Sequence, residues 1–231
     1  MLTWAFLALG IIFMVIFLIK RDCNSSLSAV IFKICASMMF VVTGAVSLFY
    51  TKGDLRYGIL FVIGLAFGML GDIWLDFKWI YKDDNRYFMY GGFIFFLIGH
   101  LCYIPAIIMV NDLPLKTLLF CFIFPVIMAV GVHLAAKPMK LDMTGYRVIC
   151  SVYGAAVGMT VSTSVAAAFA DGREISQIIL AVGSVLFLLS DLILCSTYFG
   201  EGKTTRPYIF VNHLLYYLAQ FAFAMSIYFL E

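Results

Sequence analysis

Charge is what this sequence has least of. Asp, Glu, Lys and Arg make up 12% of its 231 residues, against about a quarter in an ordinary soluble domain. The formal net charge is +2 and the basic residues are scattered, which excludes the basic stripe that nucleic acid requires. Six cysteines, at 23, 35, 102, 121, 150 and 195, form no Cys-x-x-Cys pair, and five sit in apolar runs. They read as small apolar filler rather than as disulfides or metal ligands. Three histidines without a His-x3-His pair leave zinc no workable ligand spacing, so no metal and no cofactor is expected. There is no Gly-x-Ser-x-Gly elbow and no glycine-rich phosphate loop, which removes the commonest serine hydrolases and nucleotide sites. No basic residue precedes Lys20 and no small-residue cleavage site lies near Cys23. The first apolar stretch is therefore expected to be a spanning helix and not a cleaved signal.

What is present is hydrocarbon. The composition is 64% hydrophobic with a mean hydropathy of +1.05. About 20 apolar residues cross a bilayer as a helix, and the charged breaks divide the chain into eight such segments, near 3–19, 25–50, 55–77, 87–110, 115–136, 147–170, 174–197 and 208–230. The predicted fold is all-α, a polytopic membrane protein with one eight-helix transmembrane domain over residues 1–231. Short connections make consecutive helices antiparallel neighbours. Ten Lys and Arg fall in the connections after the odd-numbered segments and four in the others, with Lys33 inside a segment. The positive-inside rule then places both termini outside the cytoplasm. The expected location is the cell (inner) membrane in a prokaryote or the endoplasmic reticulum in a eukaryote. Membrane lipids are the only surroundings implied, and no obligate protein partner is.

An ionisable side chain inside a bilayer costs about 3 kcal/mol or more, and the run from Gly64 to Asp76 carries two, Asp72 and Asp76. Four residues apart, they lie on one helix face. Asp191 in the seventh segment is a third, at similar depth. Two carboxyls in one dry site divide naturally into one that keeps its proton and one that does not. Asp76 has the alternative of reaching the interface. Lys33 in the second segment either snorkels to the surface or neutralises an aspartate. His213 begins the eighth segment beside Asn212, and His100 lies deeper in the fourth, where a bond to a neighbouring helix and a site role are both open. His133 reads as structural, Gly64/Gly68 and Gly154/Gly158 as close helix packing, and Pro105 and Pro125 as kinks. Gly64, Gly71, Asp72 and Leu75 match Gly183, Ser190, Asp191 and Leu194 at identical spacing, and the following segments each carry His-x2-Tyr, at His100/Tyr103 and His213/Tyr216. A parallel repeat of two four-helix halves produces such a pattern, as does chance in a biased composition.

The motifs Gly71-Asp72-x-x-Leu75, Phe95-x4-His100-x2-Tyr103, Ser190-Asp191-x-x-Leu194 and Tyr216-Tyr217-x-Ala219-Gln220, with Lys33 early in the second segment, resemble the YhhN-like lysoplasmalogenase family. The likeness runs from the second segment to the eighth. It departs at Ile34, where the family usually has proline. The resemblance implies a membrane hydrolase that cleaves the vinyl-ether bond of a lysolipid substrate, a lysoplasmalogen, to a fatty aldehyde and glycerophosphoethanolamine or glycerophosphocholine. Such a bond is opened by protonation at its β carbon and attack of water on the oxocarbenium ion, which calls for an acid and a carboxylate. Asp72 and Asp191 are the expected pair, with Asp76 in reserve. Lys33 and His213 are expected near the substrate phosphate. His100, Tyr103, Ser190, Tyr216, Tyr217 and Gln220 are expected around the substrate, with Tyr103, Tyr216 and Gln220 orienting water. The competing class is a small proton-coupled carrier using the buried aspartates. A carrier needs polar residues continuing to the far side, and the outer halves of segments three and seven are almost wholly apolar.

Overall fold

The structure is a computed structural model that describes residues 1–21, 27–81, 85–170, 174–201 and 204–231. Cys23 and the connection charges Lys82, Arg173 and Lys203 lie outside the described residues. The chain folds into helices α1 (Leu2–Lys20), α2 (Leu27–Ser47), α3 (Leu55–Ile80), α4 (Asn85–Asn111), α5 (Leu115–Cys121), α6 (Ile123–Ala136), α7 (Arg147–Ala168), α8 (Ile175–Phe199) and α9 (Arg206–Tyr228). Eight stretches are long and apolar enough to cross a membrane. The expected segments correspond one to one, because α5 and α6 are two parts of a single span, Leu115–Ala136.

The break between them has a sequence cause. Pro125 has no N–H to give the carbonyl of Cys121, one turn earlier, and its ring crowds that oxygen. The helix ends at Cys121 and restarts at Ile123, and the Ser162 hydroxyl of α7 donates to the Cys121 carbonyl at 2.9 Å instead. Replacing Ser162 with Ala is expected to lower thermal stability by about 1 kcal/mol, the usual worth of one such bond, measurable by thermal unfolding in detergent. Pro105, by contrast, is carried inside an unbroken α4. At the head of α3, Asp54 accepts from the Arg56 backbone N–H at 2.8 Å, and the Arg56 side chain holds its carboxyl below the usual carboxylate range.

Helix contacts follow a repeated order. α1 packs on α2, α2 on α3 and α3 on α4. In the second half α6 packs on α7, α7 on α8 and α8 on α9. The halves meet through α4 on α7 and α9 on α2. The two most extensive contacts, α3 with α4 and α8 with α9, join the very helices that share the Gly-x6-[Gly/Ser]-Asp-x2-Leu and His-x2-Tyr spacings. The α3–α4 approach depends on glycine, since a methyl on Gly99 would meet the Gly64 carbonyl oxygen at 3.0 Å. Phe17, Phe40, Phe61, Leu65, Phe187, Tyr217 and Phe223 are fully buried between the helices. The α2–α3 connection is tied to the chain end by Lys52 and Gly53 N–H groups donating to Leu230 O, both at 3.2 Å. Trp4 packs on Tyr228 at 5.9 Å at the same end. The carboxylates lie toward the opposite end.

Candidate active site

Asp72 and Asp76 stand one turn apart on α3 and are 4% and 2% exposed, so the Asp76 side chain is covered by protein. Lys33 of α2 is buried beside them and answers both. Its Nζ lies 3.1 Å from Asp76 Oδ1 and 3.4 Å from Asp72 Oδ1, and it also reaches the Asp72 carbonyl at 3.4 Å. Of the two readings of Lys33, neutralisation is the one realised. The second oxygen of Asp72 accepts from Ser37 of α2 at 2.6 Å and Tyr216 of α9 at 2.8 Å. Gln220 in turn donates to the Tyr216 hydroxyl at 3.0 Å, and Tyr217 binds the Lys33 carbonyl and the Ser37 hydroxyl, each at 3.1 Å. Asp72 thus has a cation on one oxygen and two O–H donors on the other, so both carboxyl oxygens are satisfied.

Asp191 on α8 has different company. Its Oδ2 accepts from the Tyr153 hydroxyl of α7 at 2.6 Å, and no cation pairs with it among the described residues. It is only half-buried. Asp72 and Asp191 nevertheless line one small cavity of about 30 Å³, with Lys33, Ser190, His213 and Tyr216 around it. That is room for about one water molecule. Ser190 is fixed by a reciprocal pair with Asn212: Ser190 Oγ donates to Asn212 O at 3.1 Å and Asn212 Nδ2 to Ser190 O at 2.7 Å.

Two larger spaces adjoin this cavity. On one side a polar vestibule of about 240 Å³ is lined by Arg21, Asp76, Lys78, Asn85, Asn212 and His213. Arg21 and Lys78 are buried there and close enough to Asp76 to interact with its charge, and the Lys78 ammonium sits over the Tyr198 ring at 3.0 Å. On the other side, an apolar slot of about 90 Å³ runs between α6, α7 and α8 and ends on Asp191 and Tyr153. Leu194 and Tyr198 form walls of all three spaces.

Of the expected site residues, Lys33, Asp72, Ser190, Asp191, His213 and Tyr216 line the cavity. Asp76, Tyr217 and Gln220 stand behind it, attached through Lys33, Ser37 and Tyr216. His213 gives Nδ1 to the Ile209 carbonyl at 2.8 Å and meets the Phe17 ring at 5.0 Å. His100 and Tyr103 lie outside the cavity lining. His100 Nδ1 bonds Thr160 of α7 at 2.9 Å, its other nitrogen and the Tyr103 hydroxyl have no hydrogen-bond partner among the described residues, and Tyr103 packs on Phe61 and Phe223. His133 bonds Ser151 at 3.0 Å in an exposed position, outside the linings of all three spaces. Ser37, Tyr153, Tyr198, Asn212, Arg21 and Lys78 were not singled out by sequence. Tyr153 and Ser37 carried no motif, and Arg21 and Lys78 look like ordinary connection charges until the helices close around them. Among the described residues no three His, Cys, Asp or Glu side chains group as a metal site.

The sequence model of the YhhN family matches residues 28–227, from the start of α2 to the end of α9. No curated protein and no solved structure matches the chain.

Proposed function

The chain belongs to the YhhN family, which includes lysoplasmalogenases, and from that premise we propose that it hydrolyses the vinyl-ether bond of a lysoplasmalogen with Asp191 as acid and Asp72 as base. One observation carries the assignment. Two carboxyls from separate helices face one water-sized cavity, one of them paired with a lysine and the other with a phenol. Asp191, without a paired cation among the described residues and reachable from the cavity, gives its proton to the β carbon of the alkenyl chain. The π electrons form the new C–H bond, and positive charge develops on C1 and the ether oxygen. Asp72 stabilises that cation and takes a proton from the water that attacks C1. The hemiacetal so formed breaks its C1–O bond, its hydroxyl proton passing to the glycerol oxygen, and releases aldehyde and glycerophospho-headgroup. Proton return from Asp72 to Asp191 closes the cycle. The division of labour resembles that of an inverting glycosidase.

Lys33 serves this scheme as the counter-ion of Asp72 and Asp76. The phosphate is then held by Arg21, Lys78 and His213 in the vestibule, with Lys33 contributing charge from behind. The excess of Lys and Arg in the connections after the odd-numbered spans supports a cytoplasmic position for this end, with both termini on the other face. A carrier is disfavoured by what lies beyond Gln220. Phe61, Tyr103, Phe187 and Phe223 pack ring to ring there, and a polar path across the bundle would have to pass through them.

The test is aldehyde release from lysoplasmenylethanolamine by purified protein in detergent, run in D2O with immediate borohydride trapping. Carbon protonation by the enzyme places one deuterium at C2 of the aldehyde-derived alcohol. Unlabelled aldehyde would overturn the acid step, and no aldehyde from folded protein would overturn the hydrolase.

A further inference from the structure

We propose that the slot between α6, α7 and α8 receives the single hydrocarbon chain of the lysolipid, entered from the membrane between α6 and α8. This rests on the reading above for the identity of the substrate and on geometry for the place. The three spaces are ordered by chemistry. The vestibule presents Arg21, Lys78 and His213, the middle cavity presents the two carboxyls, and the slot is walled by Phe93, Met128, Val132, Val157 and Leu188. A one-chain lipid has the same order of charged head, ether bond and alkyl tail. Asp191 belongs to both the slot and the cavity, so a chain lying in the slot brings the carbon next to its ether oxygen up to that carboxyl.

The way in is also built. α6 and α8 both pack on α7, their backbones do not approach one another among the described residues, and side chains of both line the slot, which leaves a lane over α7 that faces lipid. Leu192, half-exposed, stands at its edge. Among the described residues α6 packs on α7 and the short α5 alone, and its Val126, Ile127, Val130 and Leu134 are exposed. A substrate whose tail is already in the bilayer can therefore slide in sideways without leaving hydrocarbon, and transfer of its methylenes to water, worth about 0.8 kcal/mol each, is avoided. Gly154 lies on the floor of the slot. A methyl there would meet Val132 at 3.6 Å and the Met128 carbonyl at 3.9 Å, ordinary contact, so the glycine keeps the lane open rather than holding the helices together.

The first experiment needs no turnover. A saturated 1-O-alkyl lysophosphoethanolamine with a terminal diazirine, which cannot be opened by protonation, is photolysed on the wild-type protein and the adducts are mapped. Adducts on α6, α7 and α8 around Met128, Val132 and Leu192, displaced by unlabelled lysolipid and not by diacyl phospholipid, are expected. Adducts elsewhere would overturn the slot, and so would displacement by diacyl lipid, which would mark an ordinary membrane-lipid site. The second experiment is Gly154→Leu, compared with Gly154→Ala, on vinyl ethers of long and short chain. The long-to-short ratio of kcat/KM should fall by about tenfold in the leucine variant, the worth of about two buried methylenes. An unchanged ratio would overturn the slot. Slot labelling without aldehyde would defeat the hydrolase and leave the slot standing. Aldehyde with adducts elsewhere would do the reverse.

Discussion

Asp191→Asn is expected to lower kcat for a lysoplasmalogen by about 10²–10⁴-fold, the range for removal of a positioned acid or base, with little change in thermal stability. The carboxyl makes one hydrogen bond, from Tyr153, and no ion pair among the described residues. An amide of the same shape can accept the same phenol bond, so folding has little to lose. What is lost is the proton. KM should move less than kcat, because the acid acts in the transition state and the head and tail are held elsewhere. Asp72→Asn should give a similar loss by a different route, since the amide cannot stabilise a cation or take a proton from water. Residual turnover by either variant in D2O should still carry one deuterium at C2, because the carbon takes solvent-derived hydrogen whichever acid delivers it. Tyr153→Phe leaves the acid in place and removes the phenol that anchors it, so a loss of about tenfold is in order for one misplaced contact. Activity retained in both aspartate variants would overturn the assignment.

The scaffold was legible because hydrocarbon length is a one-dimensional property. Eight apolar runs became eight spans, and Pro125 marked its break within a turn. The carboxylates were legible for the same reason, since an aspartate in a membrane-length run stands out against its neighbours. Their partners were less so. Tyr153 sits in α7 among residues of no special pattern, and only the packing of α7 on α8 shows that its hydroxyl reaches Asp191. Arg21 and Lys78 read as surface charges because each lies at a helix end, yet both are buried in the vestibule where α1, α3 and α9 converge. His100 and Tyr103 were brought in by their motif. The fold keeps them in the core beside Thr160, Phe61 and Phe223, outside the cavity lining.

The repeated spacing gains meaning from these partners. Asp72 and Asp191 occupy matching positions in helices that pack alike, and the second helix of each half supplies each aspartate's neighbour. In the first half that helix offers Lys33 and Ser37; in the second it offers Tyr153. Matching backbone with unlike neighbours is a direct way to make one base and one acid from the same residue type.

Lys33→Met tests the foundation of that asymmetry, and a loss of about 3–5 kcal/mol of stability is expected, the usual result of stripping the counter-ion from a buried pair. Asp72 and Asp76 would face each other across one helical turn, with 4% and 2% of their surface exposed and without the lysine that pairs with both. Asp76 suffers most. Its Oδ1 loses the 3.1 Å contact, and its Oδ2 has no hydrogen bond to begin with. Asp72 keeps Ser37 and Tyr216. Adding Asp76→Asn to Lys33→Met should therefore recover part of the loss, and the cycle of four proteins gives the coupling directly. Thermal unfolding in detergent reads the stability, and aldehyde release reads the chemistry. The double variant should be folded and still slow, because Asp72 has lost its ion pair with Lys33. If Lys33 served only to grip the substrate phosphate, the single variant would unfold like the wild type and merely raise KM. That result would detach Lys33 from the carboxylates and return the site to a simple anion pocket.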